Sequence, residues 1–340
     1  MKEIMMRGAG DVVILDAPMP ELKEGESLLK VLYGGICGTD LSSFRGTMKF
    51  IKYPTVPGHE FSAEIVKVGK NDQGLKEGMI VTANPYFNCG ECYSCKKGLV
   101  NCCSKNQTMG VQRSQGAFSQ YITLSTERIY DGKGLSAKTL ALVEPFCISY
   151  HGIKRASLKG GEKVLVVGAG TIGVLAAVAA LGKGAEVTIC DISKEKVEYA
   201  KKFGIQHVIH NTNPEAFAEE VKRITNGNGY DVVVEAVGLP STFQNCIDAA
   251  AFGGTMIQVG VGKQNVDLNF TTIQQKELAI FGSRNAVRAD FVEAIDMLLD
   301  GTLSIDDVIT NMYSFDEAPK AFQDFSDNAG SMLKVMIDFN

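Results

Sequence analysis

The stretch KVLVVGAGTIGVLAAVAALGKGAEVTICD, residues 163–191, constrains the fold of this chain more than any other. Residues 163–167, apolar after the first lysine, predict a buried parallel strand. The strand runs into Gly168, Gly170 and Gly173, spaced G-x-G-x-x-G with Thr171 and Ile172 between the last two glycines. An alanine-rich helix follows, to about residue 181. Gly168 suits the tight turn, Gly170 lets the backbone approach a pyrophosphate, and Gly173 lets helix and strand pack closely. The helix N-terminus offers unpaired N–H groups and a positive dipole end to the same group. A second strand, 186–190, ends in Asp191, 18 residues after Gly173, where an acid can hydrogen-bond an adenosine ribose. Glycines at this spacing also occur in ordinary turns. The strand before, the helix after and the acid at the end of the next strand read as a dinucleotide site.

The rest of the chain falls into two patterns, as 340 residues lead one to expect. Up to about residue 145, short β-type runs (12–15, 27–32, 63–68, 80–83 and 118–124) are broken by Gly and Pro, which predicts an antiparallel, barrel-like domain. From Gly161 the rhythm becomes strand, helix, strand. Six strands, at 164–167, 187–190, 207–209, 231–235, 256–259 and 278–281, predict an α/β, doubly wound parallel sheet. Helical stretches at 290–299 and 317–324 and a last strand at 334–339 are expected to return to the first domain. A net charge of −5 without a basic run argues against nucleic acid and anionic membranes as partners. No apolar run approaches a membrane span, and the N-terminal residues read as lacking an export signal, so a cytoplasmic protein with a small-molecule substrate is expected.

Nine cysteines in such a compartment should be thiols or metal ligands. Cys89, Cys92, Cys95 and Cys103 follow the order C-x2-C-x2-C-x7-C, which lets four thiolates converge on one tetrahedral Zn²⁺. Such a site is closed, hence structural. Cys102 reads as a bystander, and Cys190 and Cys246 as core residues. A second set is scattered: Cys37 in GGICGTD, His59 and Glu60 in PGHE, and Glu144 in EPF. These types suit a catalytic zinc with an open position. By themselves, Cys37 could equally be a buried thiol, His59 a capped histidine and Glu144 a surface acid.

GGICGTD, PGHE, the cysteine loop, EPF followed by His151, and VVGAGTIG, in that order, resemble the zinc-containing medium-chain dehydrogenases over essentially the whole chain. The similarity is to the sorbitol, threonine and galactitol-phosphate dehydrogenase branch. It implies a GroES-like catalytic domain from residues 1–145 and 286–340 and a Rossmann domain from 146–285. It also implies two zinc ions per chain, one structural and one catalytic, and NAD as cofactor. Cys37 and His59 would hold the catalytic zinc, with Glu60 or Glu144 completing the shell. Thr39 would take the substrate proton into a relay, Lys196 would lie near the adenosine, and the assembly would be a homodimer or homotetramer. Threonine dehydrogenases carry His two residues after GTD, where this chain has Ser42, so threonine is disfavoured as substrate. A zinc-free reductase would lack Cys37, His59 and the cysteine loop, and a non-catalytic sensor would not need them.

Within that branch EPFCISYHGIKRA (144–156), the Asn-Cys-Cys run at 101–103 and GSRNA (282–286) most resemble the L-galactonate and L-gulonate 5-dehydrogenases. Arg284 follows the last strand of the sheet at its C-terminal end. It could cap that strand or pair with Glu277 or Asp290; alternatively its planar fork grips a substrate carboxylate. Arg45, 14 residues before His59, is a second candidate. The expected reaction is NAD-dependent oxidation of a secondary hydroxyl of a sugar acid, with a polyol or polyol phosphate as the other substrate class. Asp191 would repel a 2′-phosphate and so favours NAD over NADP.

Overall fold

In the computed structural model, which describes residues 1–49, 51–262 and 264–340, the stretch 163–191 folds as its residues require. Lys163–Val167 is a strand, Thr171–Gly182 a helix and Glu186–Asp191 a second strand parallel to the first. The helix is buried from Gly173 to Ala180, since small side chains let it lie close against the sheet. A Cβ at Gly173 would stand 1.8 Å from the carbonyl oxygen of Gly168, so no other residue fits this crossing.

Six parallel strands make the sheet: Lys163–Val167, Glu186–Asp191, His207–His210, Tyr230–Glu235, Ala250–Gln258 and Ala279–Gly282. Numbered along the chain, they lie in the order 3-2-1-4-5-6. The order reverses between strands 1 and 4, where sheets of this kind bind ligands beyond their carboxyl ends. Two crossover helices, Lys194–Ala200 and Pro214–Ile224, show clear amphipathic faces. A third, Pro240–Ala249, is scarcely legible in PSTFQNCIDA; it forms because Cys246, Ile247 and Ala249 bury against the sheet.

The β-rich domain is organised on one long strand, Glu26–Ile36. One edge pairs with Glu60–Lys67; the other is shared by Tyr121–Ser125 and the C-terminal strand Lys334–Asp338, all antiparallel. The resulting seven-stranded sheet wraps a core that includes Phe61, Phe118 and Phe322. The first hairpin of the domain, Lys2–Gly8 with Asp11–Asp16, is a separate two-stranded sheet and only half legible in the sequence, because KEIMMRG carries little β-branched content.

The chain forms two compact units: Met1–Glu144 with Val287–Asp300 and Val308–Asn340, and Pro145–Ala286 with Gly301–Asp307. The short segment Gly301–Asp307, expected with the β-rich domain, belongs to the second unit, where Tyr199 Oη donates to the Asp307 carbonyl at 2.8 Å. Among the described residues no helix is long and apolar enough to cross a membrane.

Candidate metal centres and dinucleotide site

In the first unit, Cys89, Cys92, Cys95 and Cys103 bring four sulfurs within 4.8 Å of one another. Cys103 Sγ lies 3.5 Å from Cys89 Sγ and 3.9 Å from Cys92 Sγ. The short helix Tyr93–Lys96 turns Cys92 and Cys95 to the same side. Backbone N–H groups point inward: Cys89 N–H donates to Cys103 Sγ at 3.3 Å, and Cys92 N–H to Cys89 Sγ at 3.4 Å. Hydrogen bonds from the backbone of Cys95 and Ser104 hold the Cys92 thiol down to about 6, while desolvation pushes Cys95 up to about 11. Four sulfurs this close cannot all ionise unless a cation sits among them, and tetrahedral zinc fits the set. Cys102 is exposed and outside it, while Cys190 and Cys246 are buried.

The second set assembles at one end of the long strand. Cys37 follows Ile36 directly, Glu60 stands opposite Gly35 in the neighbouring strand, and Lys334 precedes Val335, the partner of Ile36. Cys37 Sγ, a ring nitrogen of His59 and a carboxylate oxygen of Glu60 lie within 4.8 Å of one another. Thiolate, imidazole and carboxylate around one point, with His59 and Glu60 buried, fit a zinc ion with an open position. His59 Nδ1 is buried without a hydrogen-bond partner, 3.9 Å from Asp40 Oδ1. Cys37 also caps the helix Gly38–Phe44: Thr39 N–H reaches its Sγ at 3.5 Å, and Asp40 Oδ2 accepts the Cys37 N–H at 3.0 Å. Burial works to lower the pKa of His59, but the charges of Asp40 and Cys37 outweigh it and hold it well above the imidazole range.

The two carboxylates are held differently. Glu60 Oε2 accepts from Lys334 Nζ at 2.5 Å, a pair almost entirely out of solvent. A Cβ on Gly35 would come within 2.5 Å of that same oxygen, so the second glycine of GGICGTD makes room for Glu60. Glu144 Oε1 instead accepts from the Tyr86 hydroxyl, and burial pushes its carboxyl up to about 7. Asp40, Tyr86 and Lys334 were not singled out by sequence. Asp40 could have been, from its place three residues after a capping cysteine. The other two contacts span 58 and 274 residues and leave no local signal.

In the second unit, Gly168 adopts φ 109° and Gly170 begins the helix without a side chain in the way. Asp191 ends its strand with each oxygen accepting one backbone N–H, Oδ2 from Ala169 at 2.7 Å and Oδ1 from Ser193 at 2.9 Å. The acid is thereby fixed to the glycine loop, with lone pairs remaining for a ribose. Thr171 and Ile172 open the helix, and the Ile172 carbonyl accepts from Ser149 Oγ at 2.9 Å. Lys196 lies in the first turn of Lys194–Ala200, its N–H donating to Ser193 Oγ. Arg284 is exposed, two residues past the strand Ala279–Gly282. Arg45, in the first unit, turns its fork to the helix Ala318–Asn328. Its Nε donates to Ser326 Oγ at 3.0 Å and its Nη2 to the Ser326 carbonyl.

Comparison with known proteins agrees with this layout. The alcohol dehydrogenase GroES-like domain family matches residues 23–133, and the zinc-binding dehydrogenase family residues 171–300. L-galactonate-5-dehydrogenase of Escherichia coli is 34% identical over 324 residues, 95% of this chain and 94% of that protein. Sorbitol dehydrogenase of Bacillus subtilis is 32% identical over 343 residues, 99% of this chain and 97% of that protein. The crystal structure of galactitol-1-phosphate dehydrogenase from Escherichia coli matches with a TM-score of 0.91 at 29% identity, over 99% of this chain and 100% of that one.

Proposed function

The chain belongs to the zinc-binding alcohol dehydrogenases of the polyol and sugar-acid kind, and from that premise we propose that it oxidises a secondary hydroxyl of a six-carbon sugar acid with NAD. The substrate is of the L-galactonate or L-gulonate type and the product is the matching keto acid. The observation that carries the reaction class is the convergence of Cys37, His59 and Glu60 on one point beside Thr39.

Cys37, His59 and Glu60 would hold the catalytic zinc, with Glu144 able to exchange for Glu60, and the four-cysteine loop would hold the structural one. Zinc held there would supply Lewis-acid chemistry that lowers the pKa of the substrate hydroxyl, and NAD held by the glycine loop would supply the hydride acceptor. Thr39 Oγ1 takes the hydroxyl proton and passes its own towards solvent, through water because Ser42 replaces a relay histidine. Asp40 and Lys334 keep His59 and Glu60 in place while this happens. In the second unit the glycine loop holds the pyrophosphate and Asp191 the adenosine ribose. Ile192 and Ser193 supply no guanidinium for a 2′-phosphate, so NAD is preferred.

Similarity to an L-galactonate dehydrogenase supports a sugar acid, and Arg284 is the group that would grip its carboxylate with two hydrogen bonds. A polyol substrate is the second reading, favoured by the similarity to a sorbitol dehydrogenase. NADH formation with L-galactonate, L-gulonate, sorbitol and galactitol separates the two. Arg284→Met should raise KM for the acid far more than for an uncharged polyol. Turnover of sorbitol or galactitol as fast as any sugar acid would replace the sugar-acid reading with the polyol one.

A further inference from the structure

Two arginines of the first unit converge on one aromatic ring. The guanidinium carbon of Arg113 lies 3.9 Å from the centroid of Phe87, and that of Arg128 4.3 Å from it. Phe87 belongs to the short strand Tyr86–Phe87, which pairs with Gln107–Thr108 on the far side of the cysteine loop. Arg113 comes from the loop that follows, its backbone N–H donating to the Thr108 carbonyl at 3.2 Å, and Arg128 from the turn Thr126–Arg128. Three separate segments are thus folded so that two like charges meet.

No carboxylate answers them. Among the described residues the Arg113 guanidinium makes no hydrogen bond or ion pair, and that of Arg128 makes one bond, to the Tyr86 carbonyl. Arg113 is exposed, whereas Arg128 is half-buried. Desolvation is the main influence lowering the pKa of Arg128, and the charge of Arg113 adds to it; the neighbouring Glu127 acts in the opposite sense, from beyond ion-pair distance. A cation over a ring face is held favourably, but the ring neither neutralises the charge nor accepts the in-plane N–H groups. Arg113 therefore keeps all its donors for a further partner, and Arg128 all but one.

A guanidinium that grips a phosphate with two hydrogen bonds stands about 4 Å from the phosphorus. With both forks this close to Phe87, one phosphate at the edge of the ring reaches both. That edge is the positive rim of the ring's quadrupole, which suits an anion. We propose that Arg113, Arg128 and the edge of Phe87 form an anion site for a phosphate group, carried either by inorganic phosphate or by an organic phosphate monoester. A phosphate monoester brings close to two negative charges and three acceptor oxygens, enough for both forks. A carboxylate brings one charge and matches one fork. The site is linked through one residue to the candidate catalytic zinc: Arg128 holds the carbonyl of Tyr86, whose hydroxyl donates to Glu144. A phosphate bound there fixes the segment that positions Glu144. The inference does not depend on the substrate reading given above.

Thermal melting of the zinc-loaded parent and of Arg113→Met reads the site as phosphate is added at constant ionic strength, with NADH present throughout to fill the glycine loop. A ligand that binds only the folded chain raises its melting temperature by mass action. The parent is expected to rise saturably, with a dissociation constant of about 1 mM or tighter for inorganic phosphate or for glycerol phosphate; the tighter of the two names the source. Arg113→Met should need about tenfold more of either, and Arg113→Lys, which keeps the charge but not the fork, should fall between. Without phosphate, Arg113→Met should melt close to the parent, because the deleted fork makes no hydrogen bond within the fold. Phosphate also stabilises folded proteins in general. No rise, or an equal rise in the parent and Arg113→Met, would leave only that general effect and overturn the site. Acetate at the same ionic strength should give no saturable rise, and one that matched phosphate would overturn the choice of a phosphate group.

Discussion

Replacing Lys334 with Met should expose how much of the first unit's stability rests on a buried ion pair beside the candidate zinc. Lys334 Nζ lies 2.5 Å from Glu60 Oε2, with side chains 4% and 2% exposed, and it also donates to the Ile36 carbonyl at 3.3 Å. Burial alone would lower the pKa of Lys334; Glu60, with Cys37 and Glu144, outweighs it and holds the ammonium charged. Removing one partner of a buried pair typically costs about 3–5 kcal/mol, because the other charge is left uncompensated. Lys334→Met should lose that much in chelator-treated protein. In zinc-loaded protein the loss should be smaller, since the metal gives Glu60 a second partner. The double variant Lys334→Met with Glu60→Gln should recover most of the loss, leaving a coupling of about 2 kcal/mol or more in a double-mutant cycle. Urea denaturation of the four proteins, with and without zinc, measures each term. A cost of less than about 1 kcal/mol in both metal states, the size of an exposed pair, would refute the reasoning.

Cys92→Ser should lower zinc from two ions per chain to one and lower the melting temperature with it, because binding free energy at a closed site is folding free energy; a variant that keeps its parent's metal content and stability counts against the structural site. Asp191→Ala should narrow the preference for NAD over NADP in kcat/KM. NAD affinity should fall as well, because Asp191 also holds the Ala169 N–H; an unchanged preference would remove Asp191 from the ribose site. Glu144 gives a pH signature. Burial raises its carboxyl to about 7, above the unfolded value, so its contribution is present below the unfolded pKa and is lost as pH rises through the folded one. Metal-stripped Glu144→Gln should therefore gain on the metal-stripped parent as pH rises from about 5 to about 8, by on the order of 3 kcal/mol. A stability difference that stays flat across that window rejects the raised pKa.

What could be read from sequence was what local spacing encodes. The glycine loop and the four cysteines each lie within one short stretch, where steric need and metal geometry dictate residue types directly. The three candidate ligands at the end of the long strand are different. Cys37, His59 and Glu60 meet only because antiparallel pairing sets Glu60 opposite Gly35, and no periodicity in the chain announces that. They were legible through resemblance, not through spacing. Lys334, which holds Glu60, arrives from the C-terminal strand, and Tyr86, which holds Glu144, from the edge of the cysteine loop, so neither leaves a local signal. Arg45, an arginine near a metal motif in sequence, donates in the structure to Ser326 of the helix Ala318–Asn328, a contact 281 residues away that local spacing does not encode.

One variant tests the central claim most directly. Cys37→Ala, purified alongside the parent, can be assayed for zinc content, NADH binding and NADH formation from a sugar acid. The account predicts loss of one of the two zinc ions and of turnover, with NADH affinity close to that of the parent, because the dinucleotide site lies in the other unit. Turnover near the parental rate, or full zinc content without turnover, would contradict a catalytic zinc held by Cys37.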